Sequence, residues 1–147
     1  MPFFQFGTVG SLLSSPGKPG GTVSGIQSAN LGLDCLEIGW VGSANVKEST
    51  CEKIHQHAQS HNIALRVHAS YFINLNATDK EWENSRQRLM KTAHYGKIAG
   101  ATDFVFHPGR YHHQSTEIGL SRTISRISDC VNELMSKKII LIYAQKQ

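Results

Sequence analysis

Apolar residues along this chain switch repeatedly between two periods. Short runs enriched in β-branched and aromatic residues alternate with longer stretches whose apolar positions recur at spacings of three and four. The first run is Phe3 to Val9. The segment Ser14 to Gly21 follows, too rich in Pro and Gly for regular structure. Val23, Ile26 and Leu31 then fall near helical spacing, with Gly32 suited to the left-handed stop. The second run, Cys35 to Trp40, precedes a helix predicted over Thr50 to His61, with Cys51, Ile54 and Ala58 as its stripe and Asn62 as its stop. The third run is Ile63 to His68. Its helix is predicted to open on a capping box, Thr78 with Glu81, to bury Trp82, Leu89, Met90, Ala93 and Ile98, and to end at Gly100. The fourth run is Asp103 to His107, and Ile124, Ile127, Val131 and Leu134 mark one more helical face. Lys138 to Tyr143 is the fifth run.

This alternation predicts an α/β protein with a parallel sheet of about five strands, four helices and right-handed crossovers. Periodicity leaves two architectures open: a doubly wound open sheet and part of a (β/α)8 TIM barrel. No G-x-G-x-x-G follows the first strand, which removes the dinucleotide-binding form of the open sheet. A complete barrel needs about 250 residues. The 147 residues would then be one domain, the N-terminal portion of a TIM barrel.

Composition narrows the class. A hydrophobic share of 39% and a charged share of 18% fit a globular chain. No apolar run reaches the roughly 18 residues of a membrane span, and no signal-peptide pattern opens the chain, so a cytoplasmic location without a membrane partner is expected. Cys35, Cys51 and Cys130 form no CxxC pair and read as reduced thiols. The net charge of +4 suits a phosphate backbone without demanding one.

Chemistry in a barrel gathers at the C-terminal ends of the strands. The third run ends in His68 and the fourth in His107, equivalent points of adjacent parallel strands. Two readings stand: hydrogen-bonded structural imidazoles, or two ligands to a shared metal. Glu37 near a strand end reads as a metal aid or as a surface charge. His55, His57 and His61 read as a solvated helix face, and His112 and His113 as loop residues.

Longer motifs bear on the choice. Val67-His68-Ala69-Ser70-Tyr71-Phe72-Ile73-Asn74-Leu75-Asn76 and Phe106-His107-Pro108-Gly109 resemble two signature stretches of the endonuclease IV family. Phe6-Gly7-Thr8-Val9-Gly10 resembles that family's opening strand, and Leu36-Glu37-Ile38-Gly39-Trp40 its second strand in some members. The resemblance implies DNA repair: zinc-dependent hydrolysis of the phosphodiester 5′ to abasic sites. It implies His68 and His107 as zinc ligands and Tyr71 as a DNA contact. It also implies a DNA-recognition loop after Trp40, from Val41 to Asn45. The family's fifth strand ends in a metal-bridging glutamate, whereas here it reads Ile139 to Gln147 without a carboxylate. One codon assignment for this tail, read two nucleotides later, restores a Pro-Glu-Thr, so a frameshift is one expectation. A truncated relative, weak or inactive alone, is therefore expected. The alternatives are a fragment of a sugar isomerase or epimerase barrel, and a non-enzymatic module that self-associates through open sheet edges and an apolar inner face.

Overall fold

The computed structural model describes residues 4–10, 32–111 and 114–139, with the backbone of 142–145. Its strands are β1 (Gly7–Val9), β2 (Cys35–Gly39), β3 (Ala64–His68), β4 (Asp103–Phe106) and β5 (Ile142–Gln145). Its helices are α1 (Glu48–Ser60), α2 (Asp79–Ile98) and α3 (Thr116–Ser136). The helix expected around Val23 to Leu31, the Ser14 to Gly21 segment and His112–His113 lie outside the described residues.

Strand order separates the two architectures. All neighbouring strands are parallel and run β1-β2-β3-β4-β5 with no reversal, whereas a doubly wound sheet reverses at its switch point. Leu36, Ile38, Leu65, Val67, Phe104 and Phe106 alternate along their strands into one core. Cys51, Ile54 and Ala58 of α1, Leu89 and Ala93 of α2, and Cys130 and Leu134 of α3 join that same core. The described helices thus cover one face of a singly wound sheet, which is a partial TIM barrel.

The opposite face mixes charged and small or apolar residues. A row running across the sheet in register holds Val9, Glu37, Arg66 and Asp103, and Arg66 Nε lies 3.3 Å from Asp103 Oδ2. That row is charged apart from Val9, which is exposed. Further large exposed apolar side chains lie at Phe4 and Phe6 before β1 and at Ile118, Leu120, Ile124 and Met135 on α3.

Element boundaries follow local chemistry. Asn62 and Gly100 take the left-handed backbone expected after α1 and α2, with φ of 54° and 80°. Thr78 does precede α2, yet the capping box does not form. Its hydroxyl donates to the Glu81 carboxylate at 2.9 Å, and the Glu81 N–H goes to the Thr78 carbonyl at 3.0 Å. Helix α3 keeps Leu134 in the core and Ile127 against it as predicted, but its stripe departs at Ile124. Gly119, Thr123, Arg126, Cys130 and Leu134 are its buried positions, while Ile124 is 57% exposed. Thr123 and Arg126 win the inner face because each finds a buried polar partner there.

Candidate functional site

The strand ends are laced together by main-chain hydrogen bonds. The Trp40 N–H donates to the His68 carbonyl at 2.9 Å, tying β2 to β3. The Ala69 N–H donates to the Val105 carbonyl at 2.8 Å, tying β3 to β4. His68 therefore sits where three strands converge, only 4% exposed. His107, the residue after β4, is half-buried beside it.

These two rings are close, and Tyr71 completes the group. Ring centres lie 5.3 Å apart for His68 and His107, 5.2 Å for His68 and Tyr71, and 5.3 Å for Tyr71 and His107. The three rings make a nearly equilateral cluster, with Tyr71 58% exposed as its outer member. His68 Nδ1 lies 2.9 Å from the Ala69 carbonyl oxygen. A carbonyl only accepts, so a neutral His68 carries its proton on Nδ1 and keeps the lone pair of Nε2. That is the tautomer a metal ligand needs.

The two signature stretches are physically docked. The Leu75 N–H donates to the Pro108 carbonyl at 2.8 Å. Gly109, at φ 95°, lies so close that a Cβ there would stand 2.1 Å from Asn74 Oδ1 and 2.8 Å from Asn74 Cα. Glycine is required on both counts. The same segment reaches the β2 loop, where the Tyr71 N–H donates to the Val41 carbonyl at 2.9 Å and Ser70 Oγ to the Gly42 carbonyl at 2.8 Å. Ser85 of α2 supports it from below, accepting from the Asn74 N–H at 3.1 Å.

Other candidates fall into place or away. Trp40 follows β2 and packs partly against the core next to His68. Asn45 is turned to α2 instead, its amide oxygen 3.3 Å from Lys91 Nζ. Glu37 belongs to the charged row below the rim, because its register partner Arg66 precedes His68 on β3. His55 backs onto Gly100, and His57 and His61 stack at the end of α1 with ring centres 6.4 Å apart. Burial pushes the Cys51 and Cys130 thiols up to about 11, so neither is a thiolate near neutrality. Among the described residues, no three His, Cys, Asp or Glu side chains gather as a metal site. No described helix is long and apolar enough to cross a membrane.

Sequence reasoning passed over two residues on the segments around the cluster. Phe72, beside Tyr71, is exposed with the Arg88 guanidinium 5.8 Å from its ring centre. Arg126 is the other, and periodicity gave no warning of it.

Comparison with known proteins agrees with this fold. Residues 27–143 match the xylose isomerase-like TIM barrel family. An uncharacterized protein of Methanocaldococcus jannaschii is 33% identical over 88% of this chain, which spans 45% of that relative's length. Endonuclease IV from Thermus thermophilus superposes over 87% of this chain and 46% of its own, with a TM-score of 0.64 and 22% identity. A D-tagatose 3-epimerase-like protein superposes over 97% and 52%, with a TM-score of 0.72 and 16% identity. D-Psicose 3-epimerase from Clostridium cellulolyticum does so over 95% and 51%, with a TM-score of 0.72 and 14% identity. At these identities the solved structures speak for the fold alone.

Proposed function

The chain belongs to the xylose isomerase-like TIM barrel family, and from that premise we propose that it carries part of a zinc-dependent DNA-repair site acting 5′ to abasic lesions. The ring cluster, in which His68-x-x-Tyr71-x-Ile73-Asn74-Leu75 docks onto His107-Pro108-Gly109, carries this reading. Nitrogens about 2.0–2.1 Å from one tetrahedral ion put two imidazole centres roughly 5 Å apart. The 5.3 Å separation of His68 and His107 fits that requirement. Zinc held there would act as a Lewis acid and make hydroxide available near neutral pH. His68 and His107 would supply two of its ligands, with the Ala69 carbonyl fixing the His68 tautomer. Tyr71 presents an exposed aromatic edge on which an unstacked sugar or base can rest. Trp40 and the loop that follows it lie on the adjacent strand end and would be the further DNA contacts on this reading, with Asn45 held to Lys91.

Two imidazoles alone do not balance a zinc cluster, so the 147-residue chain is expected to bind abasic-site DNA weakly and to incise it little. A second reading is a sugar isomerase or epimerase, because epimerases share this fold as endonuclease IV does. Fluorescence anisotropy with an abasic-site duplex and an intact one, against titration with D-tagatose, separates the two. Preference for the abasic duplex that is lost in Tyr71→Ala supports repair. A ketose response without DNA preference overturns it in favour of the sugar reading.

A further inference from the structure

We infer that Arg126, on a helix that gives no side chain to the ring cluster, is the positioning residue of the rim, clamping the segment that joins Tyr71 to His107. For its functional meaning the inference rests on the metal reading of His68 and His107. Its geometry stands apart from that reading.

Arginine is almost never buried unless its donors are matched. Arg126 is 7% exposed, and its donors are matched by the segment after β3. Nη1 donates to the carbonyls of Leu75 and Ala77, each at 2.8 Å, and Nη2 to Asp79 Oδ1 at 2.8 Å. The guanidinium also lies 4.7 Å from the Trp82 ring centre. Leu75, Asn76 and Ala77 are all buried, so solvent cannot serve their carbonyls. One turn earlier on α3, Thr123 Oγ1 accepts from Asn76 Nδ2 at 3.2 Å as a second pin.

Leu75 is the node. Its carbonyl is held by Arg126, while its N–H holds the Pro108 carbonyl at 2.8 Å. Tyr71 lies upstream on the same segment, and His107 precedes Pro108 directly. Releasing the guanidinium therefore frees both walls of the ring cluster at once. A lysine cannot replace it fully, because one ammonium lacks the planar fork that spans two carbonyls and a carboxylate.

The test compares Arg126→Met, Arg126→Lys and, as a reference that loosens α3 without touching the segment, Cys130→Ala. The 147-residue chain is used throughout. Ring contacts among His68, Tyr71 and His107 are read by nuclear Overhauser effects, and cobalt(II) affinity by visible absorption. In folded Arg126→Met the Tyr71–His107 contact is expected to vanish and cobalt affinity to fall about tenfold, the scale for a residue supporting metal ligands. Arg126→Lys should weaken both in part, and Cys130→Ala should leave both intact. Wild-type ring contacts in folded Arg126→Met, or equal losses in Cys130→Ala, overturn the inference. Should Arg126→Met not fold, undiminished contacts in Arg126→Lys overturn it instead. If the wild-type chain binds no cobalt, the metal reading fails, and the ring contacts alone decide on Arg126.

Discussion

Two histidine pairs in this chain look equally inviting on paper and are built differently. His57 and His61 stand one helical turn apart at the end of α1, and His68 and His107 stand at the ends of two strands. The sequence-distant pair is the tighter, at 5.3 Å against 6.4 Å between ring centres. It is also the better anchored, since strand ends laced to β2 and β4 hold His68. His61 lies beyond the helix end, its Nδ1 near the His57 carbonyl at 2.9 Å and the Ser60 hydroxyl at 3.0 Å. Sheet register and docked loops bring side chains together more firmly than adjacency at a helix end.

Backbone docking at the rim gives the largest expected effect. Gly109→Ala and Gly100→Ala both put a side chain on left-handed backbone, a strain of about 1–3 kcal/mol. At Gly100 the new methyl would meet the His55 ring, whose imidazole can rotate away. At Gly109 it would meet Asn74 Cα as well as its side chain, and backbone yields less. In urea unfolding, Gly109→Ala should therefore lose about 3 kcal/mol and Gly100→Ala about half that. Equal losses would show that the rim is no more rigid than the end of α2.

Metal affinity comes next. His68→Ala and His107→Ala should each lower cobalt(II) or zinc affinity about tenfold, roughly 1.4 kcal/mol, in calorimetric titration. His57→Ala and His61→Ala should leave it unchanged. A drop of the same size at the α1 pair would break the comparison, because chain proximity would then matter as much as strand-end geometry.

The contrast also explains what is legible in the sequence. Strand ends are marked by a change from apolar alternation to loop residues, so the sequence pattern alone marks His68 and His107 as equivalent points. The alternation marks a parallel α/β sheet, whereas the monotone strand order and the helices on one face are visible only in the sheet itself, because a doubly wound sheet alternates in the same way. Arg126 is invisible to that pattern because helical periodicity assigns a charged residue to solvent, and only tertiary partners reverse that. Asp79, two carbonyls and Trp82 do so here, which is why the α3 stripe is turned away from Ile124. Asn45 is equally hard to orient: loop position gives no direction, and its side chain meets Lys91. The capping box fails because the Thr78 hydroxyl has a closer use, the Glu81 carboxylate itself.

The smallest expected effect is on stability at the α1 pair. His61→Ala removes a ring that is exposed and whose contacts lie within its own helix end. Water can replace each of them, and the Asn62 N–H still reaches the Gln59 carbonyl at 3.1 Å to close the turn. Urea unfolding of His61→Ala should fall within about 0.5 kcal/mol of the parent chain. His68→Ala, which empties a buried position where three strands meet, should cost about 1–3 kcal/mol by the same measurement. A loss above about 1 kcal/mol at His61 would mean that the end of α1 is a built site rather than a solvated helix terminus. The asymmetry between the two histidine pairs would then lie in their ring geometry alone, not in how firmly the fold holds them.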